Sequence, residues 1–86
     1  MDARDKFLIK TALGLLKEAG DAGLRKAAIL QQIDLAAGGE PLTNDQLEEA
    51  FATLQGRGWI TSYIEPVWHD RRWRLTVTGH TVLESL

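Results

Sequence analysis

Residues 42–60 read LTNDQLEEAFATLQGRGWI. Thr43 and Gln46 form a capping-box pattern, in which the Thr hydroxyl accepts from the backbone amide of the Gln and the Gln side chain returns to the amide of the Thr. Apolar residues then recur at helical spacing as far as Leu54, and the sequence Gly-Arg-Gly follows. The stretch therefore predicts a helix over residues 44–55 with a defined start and a defined end.

The residues after this helix predict a β-hairpin. Residues 59–64, WITSYI, alternate and are rich in β-branched and aromatic types. The next six residues contain Pro66, which cannot donate a hydrogen bond to a sheet, so we expect a loop there. A second strand follows at residues 71–75, RRWRL, with Trp and Leu on one face and the second and third arginines on the other. Thr76 is then placed to cap a final helix.

Helical periodicity also appears before and after this central region. An apolar stripe predicts a first helix over residues 2–19, with Asp2 as its N-cap and Gly20 just past its end. A second stripe predicts a helix over residues 24–37. The last helix is expected over residues 77–86.

The size and composition of the chain predict a single domain, residues 1–86. A mass of 9.6 kDa allows one small hydrophobic core. The fractions of hydrophobic and charged residues, 44% and 26%, are those of a globular protein rather than a disordered one. We expect no membrane span, because no apolar stretch approaches the required length, and the acidic start does not resemble a signal peptide.

The residue inventory argues against catalysis and bound metals. The chain has no cysteine, which excludes disulfides, thiolate nucleophiles and cysteine-ligated metals. Its two histidines are too few for a metal site built from several histidines. We find no nucleophile with an orienting base and no phosphate-binding glycine loop. We therefore expect no cofactor and no enzymatic activity, and the lack of cysteine is compatible with the cytoplasm.

Charge is distributed unevenly along the chain. The formal net charge is −2, so the overall positive charge of an avid nucleic-acid binder is missing. The helix predicted at residues 44–55 contains three acidic residues and no basic one. Arginines instead concentrate in and just before the predicted hairpin, as Arg57, Arg71, Arg72 and Arg74.

Two stretches of this pattern are similar to winged helix-turn-helix domains. In residues 42–60, a capped third helix runs through a Gly-Trp-Ile turn into the first strand of the hairpin. In residues 72–79, RWRLTVTG, the second strand ends in Leu-Thr, two residues and Gly. MarR-like and PadR-like repressors have similar patterns, and the resemblance covers nearly the whole chain. It implies an α+β, mainly α fold with three helices, a two-stranded β-hairpin wing and a short C-terminal helix.

The resemblance implies a small DNA-binding protein, a transcriptional regulator. It places the third helix in a major groove and the wing on the phosphate backbone or in the adjacent minor groove. Amide side chains at the start of the third helix would read adenine edges, and basic residues would contact phosphates. The residues assigned to double-stranded DNA in this way are Arg25, Lys26, Thr43, Asn44, Gln46, Arg57, Trp68, His69, Arg71, Arg72 and Arg74. Repressors of this shape act on paired half-sites, so a homodimer formed through the first or last helix is also expected.

Other interpretations of the same residues stay open. The acidic third helix favours a winged-helix protein–protein interaction module, which would dock that helix on a basic partner or insert Trp68 into a pocket. The arginines of the wing are also compatible with a solvated edge that discourages strand pairing, or with an acidic protein partner. Because Trp68 lies in the loop, it either packs against the hairpin or anchors an interaction.

Overall fold

The computed structural model describes residues 3–86, and this part of the chain forms four α-helices, one short 3₁₀ turn and one two-stranded antiparallel sheet. In chain order the elements are α1 (Ala3–Ala19), the 3₁₀ turn (Gly20–Ala22), α2 (Lys26–Ala36), α3 (Asn44–Gly56), β1 (Ile60–Ile64), β2 (Arg71–Leu75) and α4 (Val77–Ser85). The predicted α+β, mainly helical composition is confirmed. The expected N-cap Asp2 lies outside the described residues. Over residues 3–86, no helix is both long enough and apolar enough to cross a membrane.

The start of α3 confirms the predicted capping box. The Gln46 amide donates to the Thr43 hydroxyl oxygen over 3.1 Å, and the Thr43 amide donates to Gln46 Oε1 over 2.9 Å. The helix continues to Gly56, one residue past the predicted end. Phe51 and Leu54 are its buried residues, so the sequence periodicity identified the inward face correctly.

The predicted start of the second helix is wrong, because α2 begins at Lys26 and Leu24 forms an isolated β-bridge with Trp73 of β2. The Leu24 amide donates to the Trp73 carbonyl oxygen over 2.9 Å, and the Trp73 amide donates back over 2.7 Å. Gly23 allows this approach, since a Cβ at that position would lie 2.6 Å from the Trp73 oxygen. Arg25 is extended, with φ −71° and ψ 151°. The pairing with Trp73 therefore overrides the helical pattern at Leu24. At its other end α2 stops at Ala36, and residue 37 is the cap rather than the last helical residue.

The hairpin has the predicted second strand and the predicted faces, but its first strand begins at Ile60 rather than at Trp59. In its register Ile60 is opposite Leu75 and Ile64 is opposite Arg71, with a six-residue loop between the strands. Ile60 and Trp73 are buried, whereas the arginines at 72 and 74 alternate onto the opposite face. The Tyr63 hydroxyl lies 2.9 and 2.6 Å from two carbonyl oxygens of the 3₁₀ turn, which fixes that opposite face to the helical part of the fold.

The hydrophobic core lies between α1 and the other elements. Helix α1 supplies five of the buried residues, and it contacts α2, β2 and α4. Phe51 of α3 meets Trp73 of β2 edge to face, with ring centroids 4.8 Å apart and planes at 90°. This contact joins the third helix to the hairpin. The buried core residues are Leu8, Ile9, Ala12, Leu13, Leu16, Ile29, Ile33, Phe51, Leu54, Trp59, Ile60 and Trp73.

Helix α4 is fixed against the start of the hairpin. The Gly79 amide donates to the Thr76 hydroxyl oxygen over 3.0 Å, which confirms Thr76 as the cap. The same hydroxyl donates to the Gly58 carbonyl oxygen over 2.6 Å. Gly79 is buried, and a Cβ on it would lie 2.2 Å from the Trp59 carbonyl oxygen. Gly79 is therefore the residue that allows α4 to approach the start of the hairpin closely.

Candidate functional site

The loop of the hairpin is a closed turn organised by Glu65. Its carboxylate accepts hydrogen bonds from the amides of Val67 and Trp68, over 3.0 and 2.6 Å. Its backbone carbonyl accepts from the His69 amide, and its own amide donates to the Asp70 carbonyl, both over 2.8 Å. His69 has φ 57°, a left-handed conformation that costs a non-glycine residue about 1 kcal/mol. These four hydrogen bonds hold the strained turn in one shape.

The end of the hairpin presents apolar side chains to solvent. Trp68 is 74% exposed and Val67 is 68% exposed, and Ile64 beside them is half exposed. The other two tryptophans, Trp59 and Trp73, are buried. Of the two alternatives for Trp68, packing against the hairpin is therefore wrong. We call Ile64, Val67 and Trp68 the tip residues.

Asp70 joins the end of the loop to the start of α2. Its carboxylate accepts from Arg25 Nε on one oxygen and lies 3.4 Å from Arg72 Nε on the other. Desolvation alone would raise the pKa of Asp70, but the hydrogen bonds and charges of Arg25 and Arg72 outweigh it and lower that pKa below its usual value. Two of the predicted DNA-binding arginines are thus partly neutralised within the fold.

The remaining hairpin arginines have no carboxylate partner among the residues that the structure describes. Arg71 donates to the Ser62 hydroxyl over 2.7 Å and lies on the same face as Trp73. The Arg74 guanidinium lies over the Tyr63 ring, 5.0 Å from its centroid, on the opposite face. Arg57 lies just before the hairpin, with its guanidinium 5.6 Å from the centroid of the Trp59 ring. These three arginines therefore carry uncompensated positive charge, with Arg71 and Arg74 on opposite faces of the hairpin and Arg57 just before it.

The exposed side of α3 carries negative charge. Glu48, Glu49 and Asp45 are all exposed. Glu48 pairs with Lys26 of α2 over 2.8 Å, and the Lys26 ammonium also lies 5.0 Å from the centroid of the Phe51 ring. Lys26 is thus occupied by contacts inside the fold, and the outer side of α3 offers no positive charge to a phosphate.

The polar residues at the start of α3 point in different directions. Asn44 and Gln46 are two positions apart, which separates them by about 200° around a helix. Gln46 lines a shallow cleft toward α1 with Arg4 and Leu8, and its side-chain oxygen is used in the capping box. The Thr43 hydroxyl oxygen is used in the same cap. Asn44 is exposed, and within residues 3–86 its side chain has no hydrogen-bond partner.

The predicted site residues therefore fall into two groups. Trp68, His69, Arg71, Arg72 and Arg74 lie on the hairpin, Arg57 lies just before it, and Asp70 brings Arg25 to it. Lys26, Thr43, Asn44 and Gln46 lie on or beside α2 and α3. Sequence reasoning missed the organising role of Glu65, although a carboxylate two to three residues before free amides is a recognisable turn signal.

Comparisons with known proteins identify no relative. Nothing matches this chain among protein-family models, curated proteins or solved structures.

Proposed function

We propose that the chain is a winged helix-turn-helix domain. Its element order is three helices followed by a β-hairpin and a short last helix, which is the order that the resemblance implies. The backbone pairing of Leu24 with Trp73 supports this proposal. It attaches the segment between α1 and α2 to the edge of the hairpin, so that helices and hairpin form one unit. The close packing of Gly79 on Trp59 gives a physical reason for the Leu-Thr-x-x-Gly motif.

We further propose that this domain binds double-stranded DNA mainly through its hairpin. The observation that carries this proposal is the set of three arginines, Arg57, Arg71 and Arg74, that have no carboxylate partner among the described residues. A guanidinium forms paired hydrogen bonds with phosphate oxygens and keeps its charge at any physiological pH. Because Arg71 and Arg74 extend from opposite faces of the hairpin, with Arg57 just before it, they suit a narrow element with phosphates on either side.

The tip residues suit the same mode of binding. Proteins that enter the minor groove place arginine in it and often insert apolar side chains between base steps. Here Val67 and Trp68 project from a turn that Glu65 already holds in place. Because the turn is ordered before binding, little conformational entropy is lost on contact.

The third helix has a secondary role in this proposal. Its exposed acidic residues would face a duplex that carries one negative charge per about 1.7 Å, so deep insertion into a major groove is unfavourable. Asn44, at the start of α3, is exposed and makes no side-chain hydrogen bond within residues 3–86, so its amide is free to reach a base edge. A role in transcription regulation is proposed from the resemblance alone.

Fluorescence anisotropy with a labelled random duplex, repeated over a series of salt concentrations, tests the proposal. Three phosphate contacts predict a slope of log affinity against log salt of about −2.7, or a loss of about 40-fold between 50 and 200 mM salt. The Arg71→Ala/Arg74→Ala variant leaves one contact, so its slope should be about −0.9. The matched control, Lys6→Ala/Lys17→Ala, removes the same charge from α1 and should keep a slope near that of the wild type.

Two results would contradict hairpin binding of DNA. One is an absence of binding at about 50 mM salt, where even weak phosphate contacts are detectable. The other is a slope that is equally reduced in the control variant. That result would mean that the affinity reflects overall charge rather than the hairpin.

A second candidate function is protein docking, which the exposure of Trp68 favours. An exposed tryptophan in a fixed turn resembles the anchor residues of protein interfaces. A photocrosslinking amino acid at position 68, introduced in cells, separates the two candidates. Recovery of DNA supports the first proposal, and recovery of one protein species together with failure of the anisotropy test supports the second.

A further inference from the structure

The solvent-facing side of α1 has an unusual composition. It includes Gly14 and, two helical turns earlier, Phe7, which is 56% exposed. A Cβ on Gly14 would meet nothing within 4 Å among residues 3–86, so no contact within them requires a glycine there. Glycine in the middle of a helix is nevertheless unfavourable relative to alanine. Both features are explained if another surface covers this side of α1.

Charged residues are arranged symmetrically about Gly14. Lys10 lies four residues before it and Glu18 four residues after it, about 6 Å away along the helix axis in each direction. Together with Phe7 they line a shallow groove that Gln32 of α2 closes on one side. Within the described part of the chain, neither Lys10 nor Glu18 has an ion-pair partner.

We propose that this face of α1 binds a second copy of the chain, with the two helices antiparallel and crossing at Gly14. A two-fold axis at that point brings Lys10 level with Glu18 of the partner subunit, and the symmetric pair forms on the other side. The absence of a side chain at Gly14 lets the two backbones approach closely. Phe7, about 10 Å from the crossing, then lies near the C-terminal end of the partner's α1.

The charges select the antiparallel arrangement. A parallel two-fold pair would bring Lys10 level with Lys10 of the partner subunit, and Glu18 level with the partner's Glu18. Like charges at that separation repel each other, whereas the antiparallel pair has two attractive contacts. The surface that fits this face of α1 is therefore the same face of a second copy, rotated by 180°. This inference does not depend on the DNA-binding proposal.

Sedimentation equilibrium over a concentration series tests the dimer with a charge exchange. Lys10→Glu and Glu18→Lys each replace two attractive contacts with two repulsive ones, so each should raise the dimer dissociation constant about tenfold. The double variant exchanges the charges and should restore dissociation close to the wild-type value. Lys6→Glu has the same charge change as Lys10→Glu but lies far from the crossing, and it should change the constant only about twofold.

Substitution of Gly14 adds an independent measurement. In an isolated chain Gly14→Ala fills open space and favours the helix, so thermal unfolding of the diluted protein should occur at a higher temperature. In the dimer the same methyl group separates the backbones, so the dissociation constant should rise. A wild-type chain that remains monomeric up to about 1 mM would overturn the proposal. A dimer that neither single charge reversal weakens would also overturn it, because the dimer would then use another surface.

Discussion

Replacing Gly79 with alanine tests how α4 is attached to the hairpin. The new methyl group would lie 2.2 Å from the Trp59 carbonyl oxygen and 2.6 Å from Leu75 Cδ1, well inside the 3.0 Å limit for real Cβ contacts. Because the nearer atom belongs to the backbone, α4 has to shift, and overpacking of this kind costs about 3 kcal/mol. Alanine recovers about 1 kcal/mol through its higher helix propensity. We therefore expect the free energy of unfolding to fall by about 2 kcal/mol.

Urea unfolding followed by tryptophan fluorescence measures this change. The midpoint should fall while the slope with urea stays the same, since the surface exposed on unfolding is unaltered. Gly56→Ala is the matched control, because Gly56 is also helical and a Cβ on it has open space. That variant should be as stable as the wild type or up to about 1 kcal/mol more stable. If Gly79→Ala is as stable as the control, the reasoning about the α4 contact is refuted.

Three further predictions concern the hairpin and the cap of α3. The Asp70 carboxyl should titrate below its usual pKa of 3.8 in carbon NMR, and Arg25→Gln should raise that pKa. Because the folded pKa is the lower one, the stability from this group is present above pH 3.8 and is lost as the pH falls through the folded value; an unchanged pKa in Arg25→Gln would contradict this. Thr43→Ala should lower the free energy of unfolding by about 1 kcal/mol in urea titrations, whereas Thr43→Ser should retain it. Glu65→Ala should speed amide hydrogen exchange at Trp68 without unfolding the domain, and exchange at the wild-type rate would show that the carboxylate does not hold the turn.

Local signals made much of the fold predictable. The capping box of Thr43 and Gln46 depends on residues three apart, so it is present in the sequence itself. The alternation in residues 71–75 likewise identified which side of β2 is buried. Leu24 was misassigned because its hydrogen bonds to Trp73 join residues far apart in the chain, and a helical pattern at residues 24–37 carries no information about them.

The residues of the candidate site could be predicted from the sequence, but the contacts between them could not. The sequence identified the arginines of the hairpin. The alternation of side chains along β2 places Arg71 on one face and Arg72 and Arg74 on the other. The neutralisation of Arg25 by Asp70 depends on a contact between residues 45 positions apart. The exposure of Trp68 was one of two alternatives, because it depends on the turn that Glu65 forms and not on residue type.

The most direct test of hairpin binding uses the three tryptophan indoles as reporters in nitrogen–proton NMR. Trp68 is exposed at the tip, whereas Trp59 and Trp73 are buried, so the Trp68 signal reports the tip and the other two report the interior. On addition of duplex DNA at low salt, we predict that the Trp68 indole signal shifts and broadens, that the Trp59 signal shifts less because Arg57 lies over its ring, and that the Trp73 signal stays nearly unchanged. A Trp68 signal that stays fixed while amides of α3 or α1 shift would contradict the proposal that the hairpin is the principal DNA contact.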